Sequence, residues 1–578
     1  LAVITDTDTV DPSTWSVTKV ELTGLSISYP SDPEPEYVAI NSNNEALVSL
    51  QENNALVIVD LDTLTVTSAR DAGFADLRAI DTEEEGLIQL KDDQLTRLRE
   101  PDGLTWIGTD YFATANEGDM DGGSRGYTIY TADGTEVYES LSSYDYLQAR
   151  HGHYPDERSG NKGSEPEAVA YSDGFNGQEL LFVASERSST VAVYDIANKS
   201  DPQFMQFLPA VMGPESVLPL PNRDLLVVAN EVDDEARSMV NIFQWENLPD
   251  GPDYPTIVSD DDPNPPTAES SVDFLRPIPF GALSGLTAGD ATGELYAVHD
   301  SFYIEPRIFH LDASAKPTVI TGYTKLWGPP QEELDALDLE GIAMRPDGGF
   351  WLVSEGSGTI GDGNRPFVDE NLLIKVADDG EVLEQVSLPE DIAGKQVRFG
   401  FEGVAVSGSG NKEAVLVAIQ REWTGDPKGV VRLMEYRPKN GTWKTHWYPL
   451  DPREGIAGWV GLSEVVHIAG SRYWVLERDN LGGPFARIKR VYEVDLKAMK
   501  VPFQAGTAGN NGNGRAYPAL VKTPVFNLLP VYENENGWVP DKPEGMTIDA
   551  DGNLIVVTDN DGVDDATGQT WLFNLGTQ

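Results

Sequence analysis

Carboxylates recur along this sequence at a spacing that points to shared chemistry. Glu340 and Glu355 bracket the stretch LEGIAMRPDGGFWLVSE, and Glu544 and Asp559 bracket the similar PEGMTIDADGNLIVVTD. Carboxyl groups gathered in one place cannot all stay ionised unless protons or cations separate them, and such oxygen-rich clusters suit hard divalent ions. An ion held there can polarise an ester oxygen and activate water, so hydrolysis is the chemistry these residues could do.

The elements that must position them are short strands. An apolar run, a tight Gly-bearing turn such as PDGG and an alternating run such as FWLVS form a hairpin, which returns both carboxylates to one end. The opening strand recurs nine times, as PEYVAI, PDGLTW, PEAVAY, PESVLP, LSGLTA, LEGIAM, FEGVAV, LSEVVH and PEGMTI. Each is followed by a strand with a polar tip, in order Glu52, Glu117, Glu186, Glu231, Asp300, Glu355, Gln420, Glu477 and Asp559. Self-similarity at this period predicts an all-β chain of four-stranded blades, a β-propeller of about nine repeat units. One large closed ring is the simplest arrangement, with two smaller propellers as the alternative. The strand signal TWSVTKVELTG within residues 1–31 is suited to closing the ring. Residues 32–250 form an N-terminal half, the Pro/Asp-rich 251–279 a connector, and 280–578 a C-terminal half. QEELDALDLE near Gln331 is the best of few helix signals, and the insert GTAGNNGNGRAYP, rich in Gly and Asn, reads as a mobile loop over the top face.

In 578 residues, 95 Asp and Glu stand against 41 Lys and Arg, a formal net charge of −54. Such a field repels nucleic acid and anionic membranes. It suits a solvated surface in high salt, and it is compatible with a need for divalent cations. With no cysteine, thiolate nucleophiles, disulfides and zinc–thiolate sites are excluded. No apolar run is long enough to span a membrane. The chain begins at Leu1 without Met, as a chain trimmed of a signal peptide does, so an exported monomer in the periplasm, at the cell surface or secreted is expected.

From Phe280 onward the series LSGL, YAVHD, LEGIA, FWLVSEG, FEGVA, GLSEV, WVLERDN, PEGM and VVTDNDG resembles the esterase-like activity of phytase family. The first half, with EPEYVAI, SLQENNALVIVD, ATANEGD, EPEAVAY and GPESVL, is similar to the propeller of choice-of-anchor I proteins, which are bacterial surface or secreted proteins. The resemblance implies an exported propeller that hydrolyses phosphoric esters and depends on divalent metal, calcium first, with manganese, magnesium or zinc as alternatives.

In a propeller the first strand lines the channel and the second returns to its top. Glu36, Asp102, Glu167, Glu215, Glu340, Glu402 and Glu544 are therefore expected around one mouth, with Glu117, Glu186, Glu231, Asp300, Glu355, Glu477 and Asp559 just outside. Most single copies of such a Glu cap backbone N–H groups of the next blade. The breaks in the pattern carry more information: Ser284 and Ser463 replace the acid, His299 precedes Asp300, and Arg421 and Arg478 follow the tips. Metal ligands are sought among His299, Asp300, Glu355, Glu477, Glu544, Asp559, Glu167, Glu186 and Glu231, and the general base among them or at Glu340 and Glu402. Arg421 and Arg478 suit bidentate contact with a phosphate ester, the small-molecule substrate expected. His151 and His153 read as solvated residues of a polar insertion, and His467 as a channel or core histidine. EGDMDGG and DNDGVDD are candidate calcium loops that lack EF-hand spacing. Two other functions fit the same residues: a non-catalytic, calcium-stabilised surface propeller, and a metal-dependent lactonase or carboxylesterase. No GxSxG, Walker A or HExxH motif is present.

Overall fold

The structure is a computed structural model that describes the chain except residues 6–10, 121, 233–237, 247–255, 271–274, 329–331, 334–336, 453–454, 456, 504–516 and 564–567, and the side chains of 332, 333 and 536. Its contacts separate two compact units. One comprises chiefly Leu1–Gly251 with Asn264–Pro279, and the other Pro252–Pro263, Phe280–Gly562 and Gln569–Gln578. The stretch read as a connector thus divides, and Ile257–Ser259 joins a sheet of the second unit as a parallel strand on Thr318–Lys325.

In the first unit, sheets open with the strands Pro35–Ile40, Leu104–Ile107, Pro166–Phe175 and Pro214–Leu220. The first three have four strands and the last has three. Ser16–Lys19 pairs with Ala2–Thr5 in a two-stranded ribbon of its own. In the second unit, five sheets open with Leu283–Ala288, Leu339–Met344, Phe401–Ser407, Val460–Ala469 and Pro543–Ile548. No sheet among the described residues closes on itself. The opening strands of these five sheets nevertheless lie side by side in cyclic order, the last returning to the first.

The hairpins follow from their sequences. Leu339–Met344 pairs antiparallel with Phe350–Ser354, and Gly348 and Gly349 turn the chain at φ 90° and 70°, a region glycine enters without steric cost. Neighbouring opening strands approach so closely that only glycine fits between them. A Cβ on Gly341 would fall 2.4 Å from the Glu402 carbonyl oxygen, and one on Gly403 2.5 Å from Cα of Glu464; Gly285 and Gly545 are similarly crowded. Apolar side chains fill the space between successive sheets: Trp351, Val353 and Leu373 pack with Val415, Val417 and Met434, and Trp474, Leu476 and Val491 with Met546, Val556 and Trp571.

Among the described residues helix is confined to short pieces, including Ser143–Arg150 and Leu529–Asn536. The described part of QEELDALDLE holds no helix; Glu332–Glu333 pairs with Trp327–Gly328, and the rest of its predicted core lies outside the described residues, as does most of GTAGNNGNGRAYP. No helix among the described residues is long and apolar enough to cross a membrane.

Candidate functional site

Most opening strands that carry an acid carry it at a β-bulge. Pairing slips between Leu339 and Gly341, leaving Glu340 as the extra residue, and the same slip isolates Glu402, Glu544, Glu167 and Glu215. A bulged residue is left out of the ladder and its side chain is re-aimed, so the acid turns away from the alternation that would bury it between sheets. Ser284 and Ser463 hold the equivalent bulges in the second unit. The tip residue follows the partner of the strand's first residue. Ser354 pairs with Leu339 and is followed by Glu355; His299 pairs with Leu283 and is followed by Asp300; Thr558 pairs with Pro543 and is followed by Asp559. In the fourth sheet of this unit Glu477 is itself the partner, of Leu462, so the tip is Arg478.

These positions assemble a collar of carboxylates in the second unit. Asp338, Glu340 and Glu355 each bring an oxygen within 4.8 Å of the others, and so do Asp300, Asp559 and Asp561. Burial and the neighbouring carboxylates push Glu355 up to about 8, Asp300 and Asp559 to about 7, and Glu340 and Glu402 well above the usual carboxylate range. Backbone donors fix the geometry: Ser301 N–H donates to Asp338 at 2.9 Å, Phe302 N–H to Asp300 at 2.8 Å, and Gly400 N–H to Glu355.

The two groups differ in their cations. Lys542 pairs with Asp559 at 3.2 Å and also with Asp561, and burial among these acids holds its ammonium well above the ordinary range despite desolvation. No ion pair among the described residues reaches Asp338, Glu340 or Glu355. These three therefore fit a hard divalent cation by donor type and spacing. Beside them Arg478, buried, donates to Ser463 Oγ at 2.9 Å and pairs with Glu544. Glu464, fully buried, stands where the other four opening strands of this unit have glycine. Its Oε1 accepts from the N–H groups of Val465 at 2.8 Å and Val404 at 3.1 Å, while Oε2 meets no partner.

The first unit has its own acid cluster. Asp102, Glu117 and Glu167 form one close group, Glu117, Glu165 and Glu186 a second, and Glu167, Glu186 and Glu215 a third. Burial and neighbouring acids push Glu167 up to about 10 and Asp102 to about 7; burial leads the same rise to about 7 at Glu186. Here cations intervene, with Lys162 2.7 Å from Glu117 and Arg187 2.9 Å from Glu186.

Several expected site residues lie elsewhere. Glu477 is not at the collar but in a buried network, accepting from Tyr448 OH at 2.9 Å and paired with Lys522 at 2.6 Å, because the register gives its place to Arg478. Both ring nitrogens of His299 lie 2.8 Å from backbone carbonyls, of Asp300 and Glu305, and burial lowers its pKa to about 4. His299 therefore ties down the loop after its strand and has no nitrogen turned to the carboxylates. Glu231 is exposed and outside the close groups, and Gln51, not Glu52, takes the first tip, bonding Glu117 at 2.6 Å. Arg421 lies against the rings of Phe399 and Trp459. His151 and His153 are not simply solvated: beside the helix Ser143–Arg150 His151 is half-buried and His153 buried, with nitrogens on the carbonyls of Leu147 and Ser188, and desolvation lowers them to about 4 and 3. His467 is half-buried against Tyr473. Asp121, Asp564 and Asp565 of the two calcium-loop candidates lie outside the described residues. Asp338, Lys542 and Glu464 were not singled out from the sequence, whereas Asp561 stands in the candidate calcium loop DNDGVDD and joins a close carboxylate group. The signal for Asp338 and Lys542 was their place one residue before the repeated opening strand.

The family model described as esterase-like activity of phytase matches residues 278–562, and the choice-of-anchor I domain matches residues 8–122 and 120–199. These are the two families the sequence resembles, at the positions where the resemblance lies. A search among curated proteins gives no match. Similar solved structures include hydrazine synthase of Kuenenia stuttgartiensis, with 12% identity, 71% of this chain and 96% of that one covered, and a TM-score of 0.25. Virginiamycin B lyase from Staphylococcus aureus has 10% identity, 78% and 93% coverage and a TM-score of 0.21. A protein from Lactobacillus plantarum has 13% identity, 67% and 92% coverage and a TM-score of 0.24. At these TM-scores the likenesses carry no argument.

Proposed function

We propose that the second unit is a metal-dependent hydrolase of phosphoric esters, with Asp338, Glu340 and Glu355 as the cation site. The observation that carries this reading is the close carboxylate trio without an ion pair, inside the region matched by the esterase-like family model. A divalent ion bound there would polarise a phosphoryl oxygen and make water acidic enough to attack at neutral pH. The protein's own groups divide the remaining work. Glu402, buried and crowded by Glu544 and Glu355, keeps its proton at neutral pH and is suited to donate it to the leaving-group oxygen. Arg478 balances Glu544 and stiffens that side of the collar through Ser463. The choice-of-anchor I match to the first unit supports a surface or secreted location.

The test is metal analysis of the purified chain, followed by hydrolysis of nitrophenyl phosphate mono-, di- and triesters with and without chelator. Activity that chelator abolishes and a divalent salt restores supports the reading, and E340Q is expected to lose about 100-fold or more in kcat. Chelator that lowers the melting temperature while no ester turns over under any metal overturns it in favour of purely structural cation sites.

A further inference from the structure

Outside the acid groups described above, the first unit carries a loop in which buried carboxylate oxygens lack donors. Residues 81–91, DTEEEGLIQLK, join the strands Phe74–Ile80 and Asp92–Leu98 without helix or strand, and Lys91 N–H closes the loop on the Ile80 carbonyl at 3.0 Å. Acids hold the loop in shape. Asp81, buried, accepts from Gln89 N–H at 2.6 Å and Glu83 N–H at 3.3 Å, and Oε1 of half-buried Glu85 accepts from Gln89 Nε2 at 3.0 Å. Asp156 enters from 70 residues away, and its Oδ2 accepts from the N–H of Gly86, the residue after Glu85, at 2.8 Å.

Two oxygens of this arrangement are left over. Asp156 Oδ1 and Glu85 Oε2 are both buried and meet no donor, and Asp156 as a whole is only 1% exposed. A carboxylate oxygen shut away from water is costly unless a proton or a cation lies on it. No ion pair among the described residues reaches Asp81, Glu84, Glu85 or Asp156, because the neighbouring guanidiniums are directed elsewhere. Arg125 donates to the backbone carbonyls of Asp81 and Ser159 and faces Asp145, and Arg158 pairs with Glu165. Burial, with the surrounding acids, pushes Asp81 up to about 8 and Asp156 to about 7, so negative charge is poorly met here.

We propose that Asp156 and Glu85 hold a calcium ion on these two oxygens, with backbone carbonyls of the loop and water completing its shell. Two carboxylates balance the ion's charge, and calcium, unlike magnesium, accepts an irregular set of oxygen ligands. So few charged ligands place the affinity in the range of extracellular modules, with a Kd of about 0.1 to 1 mM. The ion's role is structural and separate from ester hydrolysis by the second unit. It fastens the loop to the turn Asp156–Arg158, and through Arg158 to Glu165 of the first unit's acid cluster. Hydrogen exchange of the full chain, read by mass spectrometry with and without calcium in about 1 M sodium chloride to screen the acidic surface, is the test. At about 10 mM calcium, exchange across residues 81–91, which include the bonded amides of Gly86 and Gln89, is expected to slow about tenfold or more. D156N and E85Q should each abolish that slowing, and E340Q, in the second unit, should leave it intact. Should D156N unfold, E85Q at its half-buried position carries the same test. No slowing in the wild-type chain, or equal slowing in the wild-type chain and E85Q, overturns the proposal and leaves a proton shared between Asp156 and Glu85 to cover these oxygens.

Discussion

Stability of the metal-free protein should fall between pH 5 and pH 8, and a divalent cation should reverse the fall. The perturbation is pH in the presence of chelator, and the responsible groups are the collar carboxylates. Asp559 is buried and its pKa is raised from 3.8 to about 7, with Asp300 raised to about 7 and Glu355 to about 8. Between these folded values and the ordinary unfolded values, the folded chain binds protons that the unfolded chain has lost. The derivative of unfolding free energy with pH is then negative, so the stability these groups contribute is present at low pH and lost as pH rises through 7 to 8. One such group loses about 1.4 kcal/mol per pH unit, so about 2 to 3 kcal/mol between pH 5 and 7; the collar acids share protons, and their losses do not simply add. For a unit of this size that is a drop in Tm of about 4 to 12 °C. Surface repulsion from the net charge acts in the same direction, so calorimetry belongs in about 1 M salt, where the Debye length is about 3 Å. A divalent ion at about 100 times its Kd should return about 2.7 kcal/mol at pH 8 and much less at pH 5, where protons compete for the ligands. A Tm that is flat or rises from pH 5 to 8 in chelator, or a cation effect equal at both pH values, refutes the reasoning.

Two further outcomes test single contacts. R478A leaves Glu544 buried without its cation and is expected to cost about 3 to 5 kcal/mol, measured by denaturant unfolding at neutral pH. G341A places a methyl group 2.4 Å from the Glu402 carbonyl and should lower stability by about 1 to 3 kcal/mol, whereas G361A, at an exposed turn with nothing near, should cost much less and only through its positive φ. Equal losses in the two glycine variants would remove the claim that opening strands are packed too closely for a side chain.

The hairpins were legible because alternation and turn chemistry act locally. PDGG turns the chain and FWLVS alternates whatever lies beyond them, and the strands Leu339–Met344 and Phe350–Ser354 follow. What lay beyond local pattern was register. Glu477 and Arg478 are adjacent, and only the pairing of Glu477 with Leu462 decides which of them reaches the collar. The same applies to LSEVVH, where Ser463 takes the bulge and Glu464 enters the position of a glycine. Asp338 and Lys542 precede their strands by one residue and belong to no repeated motif, so their convergence on the acids is a property of the assembled sheets. The histidines misled for a related reason. His151 and His153 stand in polar sequence, but the helix Ser143–Arg150 and the Phe207 ring half-bury His151 and bury His153.

The departures of one hairpin from its repeat set the second unit's collar apart from a uniform ring of acids. Five equivalent hairpins with an acid at every bulge and tip would make a ring of like charge, able to gather a cation but offering the same surface in every direction. The fourth sheet changes the sign of one side. Arg478 replaces the tip acid, Ser463 replaces the bulge acid and accepts from Arg478, and Glu464 fills the glycine gap. Trp459, just before this strand, lies against both Arg478 and Arg421. On the hydrolase reading proposed above, opposed poles suit an anionic ester, since an ion at the carboxylate trio would stabilise charge developing on the transferred group. An undivided ring of acids would repel an anionic substrate by the same field that gathers a cation. Arg478 neutralises Glu544 inside the collar and lies against the Trp459 ring, so this cationic tip is held on both sides.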